Sequence, residues 1–290
     1  MRWVWLLCVA CGRIDFDPFA RTPDAHTDAP TDSGRVCGAF ETPALIGGDV
    51  MSAFDDWEPT VAPDGTLAFT SNRVMNIDTL YISKPPYTVA TVPSIDNTAI
   101  NQWGPVWNAD GSRLYFSRDL AGTTATMYSA DFDGTTFTNL RNEQGLDNQT
   151  IRGAAISHDE LELIYGDDDD AAQARLVRAR RMNVGDPWTI EGALPAPLNQ
   201  GGDSYGAFTR DDLTFVWETQ REGAARLYQA TRTSRSDEFA NVMPFDLVAH
   251  VAGDDGDPDF SDGDQRFAFA SSRNGNSTGN DIYITTRTCQ

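Results

Sequence analysis

The chain has 290 residues, and its 43 Asp and Glu outnumber 22 Lys and Arg to leave a formal charge of −21. Phosphate binding needs clustered cations, so this balance excludes nucleic acid as the expected partner. At 40% hydrophobic and 10% aromatic, the chain has enough apolar surface for a substantial core, which excludes global disorder.

The chain opens on its one apolar run, Trp3-Val4-Trp5-Leu6-Leu7-Cys8-Val9-Ala10, preceded by Arg2. That is shorter than the roughly 18 apolar residues a membrane-spanning helix needs. A cation, a short hydrophobic stretch and small residues form the pattern of an export signal; the other reading of these residues is a buried N-terminal strand. Cys8-Val9-Ala10-Cys11 resembles a bacterial lipobox. The resemblance implies that residues 1–10 are removed, that Cys11 carries the lipid, and that the protein sits in the bacterial cell envelope attached by lipid alone. Residues 11–36 follow, with Thr22-Pro23-Asp24 and Asp28-Ala29-Pro30-Thr31-Asp32-Ser33-Gly34 at their centre. Such a segment cannot offset chain entropy by burial, so an acidic stalk is expected here.

Residues 37–290 read as one folded unit. Cys37 and Cys289 lie at its two ends, and export to an oxidising compartment would join them in a disulfide. The bland alternative is a pair of free thiols.

Between these cysteines the sequence repeats. Glu58-Pro59-Thr60-Val61-Ala62-Pro63-Asp64-Gly65 aligns with segments ending in the anchors Trp107, Ile156, Phe208 and Phe260 and their turns, a period of about 50 residues. Each anchor precedes an Asp/Gly-type turn and an apolar strand: Leu67-Ala68-Phe69, Leu114-Tyr115-Phe116, Leu163-Ile164-Tyr165, Phe215-Val216-Trp217, Phe267-Ala268-Phe269. Asp and Gly tolerate the positive φ of a tight hairpin, so these are two-strand units. A third strand recurs at Leu80-Tyr81-Ile82, Met127-Tyr128-Ser129, Leu176-Val177-Arg178, Leu227-Tyr228-Gln229 and Ile282-Tyr283-Ile284. Weaker fourth strands are expected at residues 88–92, 137–140, 188–191 and 239–243. The fifth repeat has none of its own; residues 39–46 would supply it by pairing beside Ile282–Thr286, which brings Cys37 near Cys289. The expected fold is all-β: a five-bladed β-propeller of four-stranded antiparallel blades, closed by an N-terminal strand. One segment, Ala171–Met182, is rich in helix formers. The repeat outweighs it, and a strand is expected there.

The pattern Pro-x-apolar-x-x-Asp-Gly, a strand ending near Ser71-Asn72-Arg73 or Ser271-Ser272-Arg273, and then Ile-Tyr resembles the repeat of TolB-type, WD-like β-propellers. The TolB propeller has six such blades; the count here is five.

Chemistry is harder to read. His26, His158 and His250 have no metal-ligand spacing, and no nucleophile elbow, phosphate loop or dinucleotide fingerprint occurs. Asp255-x-Asp257-x-Asp259 imitates the opening of an EF-hand loop, but Phe260 stands where that loop needs Gly and Arg266 where it needs Glu. At most a looser calcium site is left. The informative positions enter the innermost strand of each blade. Trp57, Glu58, Trp103, Arg152, Tyr205 and Asp257 would converge at one channel mouth, forming a surface for stacking and charge recognition. The expected function is therefore a lipid-anchored, monomeric envelope propeller that binds a protein or glycan through one face, without catalysis or cofactor. The alternative is a glycan-cleaving hydrolase using Glu58, Asp257 and Asp203.

Overall fold

The computed structural model describes residues 36–290 except 75, 96–99, 120–124, 148, 168–173, 201, 246, 248–252 and 274–278. The export signal, Cys11 and the stalk lie outside the described residues.

Five separate four-stranded antiparallel sheets form. Their innermost strands are Asp56–Val61, Gln102–Trp107, Arg152–Ile156, Asp203–Phe208 and Asp255–Ser261. Each packs against the next, and the fifth returns to the first. The protein is a five-bladed β-propeller, with blades I to V in chain order. Fourth strands complete blades I to IV at Ala90–Thr91, Phe137–Asn142, Thr189–Ala193 and Ala240–Pro244. The helix-rich segment yields the strand Leu176–Arg180, paired on both sides. Cross-strand pairing outweighs local helix propensity there, as the repeat requires.

Blade V is completed from the other end of the chain. Ala44 and Leu45 pair with Ile284 and Tyr283, a shorter ladder than the expected 39–46. Pro43 has no N–H to donate, and the segment before it is tied at intervals: Val36 and Gln290 exchange N–H···O bonds at 2.9 and 3.0 Å, Gly38 N–H donates to Thr288 O at 2.9 Å and Glu41 N–H to Thr286 O at 2.8 Å. Cys37 and Cys289 form a disulfide across 252 residues of sequence, closing the ring where the other blades have a hairpin loop.

The core lies between blades rather than inside one. Phe116, Leu114 and Trp107 of blade II meet Ala68, Leu80 and Ile82 of blade I, and equivalent clusters fill the other seams. Both faces of a blade are covered, so Leu67, Ala68 and Phe69 are all fully buried despite pointing to alternate sides. Each such large side chain contributes about 1.5–3 kcal/mol.

Candidate functional site

The channel down the ring axis is shaped by one backbone irregularity repeated five times. Every innermost strand is bulged, with register breaks between Trp57 and Thr60, Trp103 and Val106, Arg152 and Ala155, Ser204 and Gly206, and Gly256 and Asp259. The residue inside each bulge has positive φ: Glu58 at 53°, Gly104 at 61°, Gly153 at 49°, Tyr205 at 40° and Asp257 at 51°. Blades II and III meet this demand with glycine. Blades I, IV and V place a side chain there against the local preference.

Those three side chains fold over their neighbours and close the waist of the channel. Glu58 Oε2 accepts the Gly104 N–H at 2.7 Å, and Asp257 Oδ2 accepts the Glu58 N–H at 3.2 Å. Tyr205 lies over Gly153, where an added Cβ would stand 1.9 Å from its Cδ1. A void of only about 30 Å³ is left among them. Glu218, from the second strand of blade IV (Thr214–Thr219), joins the group by accepting the Asp257 N–H; it fills the space beside Gly256 that a Cβ would occupy.

The waist is acidic with no ion-paired cation among the described residues. Burial, with Asp257 beside it, pushes the Glu58 carboxyl up to about 8. Burial likewise raises Glu218 to about 7, and burial plus Glu218 hold Asp257 well above the ordinary carboxylate range. Desolvation disfavours the charged form, so protons are retained here near neutrality.

The structure brings Glu58, Tyr205 and Asp257 together at the waist rather than at a mouth. Trp57, Trp103 and Arg152 lie one position earlier along their strands. Trp103 is buried under the Arg152 guanidinium, 5.9 Å from its ring centroid, while Trp57 is half-buried.

Asp203 is a correction. It is fully buried off the axis, ion-paired with Arg221 at 3.0 Å, and accepts from Trp217 Nε1 at 3.1 Å and the Gln200 N–H at 2.7 Å. The same brace recurs as Asp56 with Arg73, Gln102 with Arg118 and Asp255 with Arg273. In each case the guanidinium also lies over aromatic rings of the second and third strands, such as Tyr81, Tyr128, Tyr228 and Tyr283. This explains the Arg that closes the Ser-Asn-Arg and Ser-Ser-Arg motifs: it neutralises a buried acid of the innermost strand. The EF-hand imitation divides for the same reason, with Asp255 in a brace and Asp257 and Asp259 on the axis. Among the described residues no group of three or more His, Cys, Asp or Glu is placed to hold a metal ion.

Beyond the waist the channel widens into a cavity of about 380 Å³. It lies at the far ends of the innermost strands, among the hairpin turns, and all five blades line it, with Asp259 at depth and Pro63, His158, Arg210 and Asp264 toward the turns. The expected mouth was at the strand entrances; this cavity is at their exits. Glu218 was not anticipated, and Asp259 was singled out only within the EF-hand imitation. Both carry a signal in the alignment: Asp259 is the one acid in a column of Thr60, Val106, Ala155 and Ala207, and Glu218 stands among Thr70, Ser117, Gly166 and Ala270.

Neither the family models nor the curated proteins compared with the sequence give a match. Solved structures do. TolB from Acinetobacter baumannii aligns at 14% identity over 81% of this chain with a TM-score of 0.52, and the chain spans 55% of that TolB. The catalytic domain of a GH62 α-L-arabinofuranosidase from Coprinopsis cinerea aligns at 12% identity, covering 86% of this chain and 96% of that one, with a TM-score of 0.59. A GH43 endo-arabinanase from Bacillus licheniformis gives 13%, 83%, 95% and 0.54 in the same order. At these identities the likeness is one of fold, and a shared fold hosts both binding proteins and enzymes.

Proposed function

We propose that the chain is an envelope-resident binding propeller that takes a protein or glycan partner through one face of the ring and performs no catalysis. The observation that supports this reading is the closed waist. The axial carboxylates that a glycan hydrolase would aim at substrate are instead folded onto backbone N–H groups of adjacent blades around a void of about 30 Å³. A cavity then faces outward at the hairpin turns, the form of a socket. The disulfide fits an oxidising compartment, and lipidation at Cys11 would hold the ring at a membrane surface.

A second reading rests on one observation of its own. A carboxyl raised to about 8 is protonated at neutral pH and is what a general acid requires; the two enzymes of similar fold named above are an α-L-arabinofuranosidase and an endo-arabinanase. Incubation of the full chain with arabinan and arabinoxylan separates the readings. No release of reducing sugar, together with a partner retained from envelope extract by the wild type and by the E58A/D257A double variant, supports binding. Sugar release that disappears in the double variant establishes hydrolysis instead.

A further inference from the structure

Buried acids on the rim of the ring have arginines: Asp56, Asp203, Asp255 and Glu162 each form an ion pair within the fold. Asp259 does not. It is 8% exposed, lines the hairpin-face cavity, and accepts only the Thr60 hydroxyl at 3.1 Å and the Val61 N–H at 3.0 Å. Burial raises its carboxyl to about 7, so that a cation seated beside it would draw off the proton; Arg266 and His158 act on it through space without forming an ion pair among the described residues. A carboxylate has room for about four hydrogen bonds, so two acceptor sites remain. The corresponding residues of the other blades, Thr60, Val106, Ala155 and Ala207, carry no charge. One carboxylate thus stands in an otherwise neutral axial ring.

The walls above it suit an aliphatic stem. Val61, Ile156 and Phe208 supply apolar surface, Ser261 Oγ is buried without a partner, and Asp262 and Asp264 add acceptors toward the rim. The lining's own cations leave the floor free: His158 Nδ1 is engaged by Asp212 at 3.1 Å, and Arg210 is at the exposed rim. The chain's charge of −21 attracts cations over distance.

We infer that the hairpin-face cavity is a socket for a single basic side chain, Lys or Arg, of a protein partner, with its charged head seated on Asp259 and its stem against Ile156 and Phe208. The inference rests on the binding reading and chooses protein over glycan. A basic head supplies the donors that Asp259 can still accept, and charge-assisted hydrogen bonds are the stronger kind.

The test titrates three capped pentapeptides, Gly-Gly-Xaa-Gly-Gly with Xaa as Arg, Lys or norleucine, into isotopically labelled full chain, following backbone amide shifts. The Arg and Lys peptides should shift Gly206 and Gly263 and bind at least tenfold more tightly than the norleucine peptide. Asp259→Thr, which installs the blade I residue at this position, should abolish that preference. Equal binding of all three peptides, or shifts confined to other regions, overturns the socket; this comparison is made on the wild type and stands even if the variant folds poorly. Retention of an envelope partner by wild type and D259T alike, without a basic preference, leaves the binding reading intact and defeats only the socket. Glycan turnover without any retained partner defeats the binding reading itself.

Discussion

Two sets of buried acids divide this molecule. Off the axis, Asp56, Asp203 and Asp255 each face an arginine that also lies over aromatic rings. On the axis, Glu58, Asp257 and Asp259 face backbone N–H groups and one another, with no ion pair among the described residues. The two sets are neighbours: Asp255 and Asp257 lie on one strand, two residues apart. A bulge between Gly256 and Asp259 turns one toward the brace and the other toward the channel. The difference teaches that in this fold acidic character alone carries no functional meaning. What matters is whether the fold also supplies a counter-charge.

The brace is where breaking the comparison costs most. Arg221→Ala removes the arginine of the buried Asp203 ion pair and takes the guanidinium from over Trp217 and Tyr228. Removing one partner of a buried pair is destabilising by about 3–5 kcal/mol, measured by denaturant unfolding. Adding Asp203→Asn should recover part of the loss, because the stranded charge is gone. Without that recovery, Arg221 acts through packing alone.

The waist should show itself in pH dependence, with a smaller effect. The Glu58 carboxyl ionises near 4.5 in the unfolded chain and near 8 in the fold. Below the first value both states hold the proton and the group costs nothing. Between the two, the unfolded chain releases a proton that the fold retains, so stability falls as pH rises and levels off above about 8. A tenfold change in proton affinity is worth about 1.4 kcal/mol, which makes the loss already incurred at pH 7 on the order of 3 kcal/mol. Acidification acts oppositely at the surface, where hydrogen bonds from Arg141, Asn139 and Arg113 hold Asp131 down at about 2. Glu58→Gln should make the alkaline limb shallower, since Asp257, Glu218 and Asp259 still contribute to it, and leave the acid limb unchanged. An unaltered alkaline limb would remove Glu58 from this account.

Much of the fold was legible because a propeller writes its pattern five times. The anchors, the Asp/Gly turns and the terminal cysteines each had a repeat-level meaning, and the N-terminal completion of blade V followed from a strand count. The braces were half-legible: the arginines of the Ser-Asn-Arg motifs were visible, but their acidic partners lie more than a dozen residues earlier in the chain. Asp203 was consequently read as a funnel acid. Blade III shows the rule by omission, since it lacks the acid at Ile151, the arginine after Tyr165 and the third-strand aromatic at Val177 together. The waist was legible as a column of residues but not as a closure. That depends on side chains crossing from blade to blade, such as Glu58 to Gly104, which the period of one strand does not encode.

The same closure predicts which glycine is indispensable. A Cβ at Gly153 would stand 1.9 Å from Tyr205 Cδ1 and 2.6 Å from Tyr205 Cα, so Gly153→Ala must displace the ring or the backbone of blade IV. Overpacking of this kind costs about 1–3 kcal/mol, and Tyr205→Ala in the same chain should return only part of it, because the backbone contact persists.

Gly104 is the quieter control. Its φ of 61° is also left-handed, but its nearest neighbour to an added Cβ is Gly153 N at 3.5 Å, an ordinary contact. Gly104→Ala therefore bears only the backbone penalty, about 1 kcal/mol, and leaves the Gly104 N–H free to donate to Glu58. Its thermal transition should drop by less than that of G153A, with the alkaline limb of the stability curve intact. Equal losses at the two positions would mean that backbone strain, rather than Tyr205 pressed across the axis, governs the waist; blades II and III would then be glycine-bearing for conformation alone, with no part in admitting a neighbour's side chain.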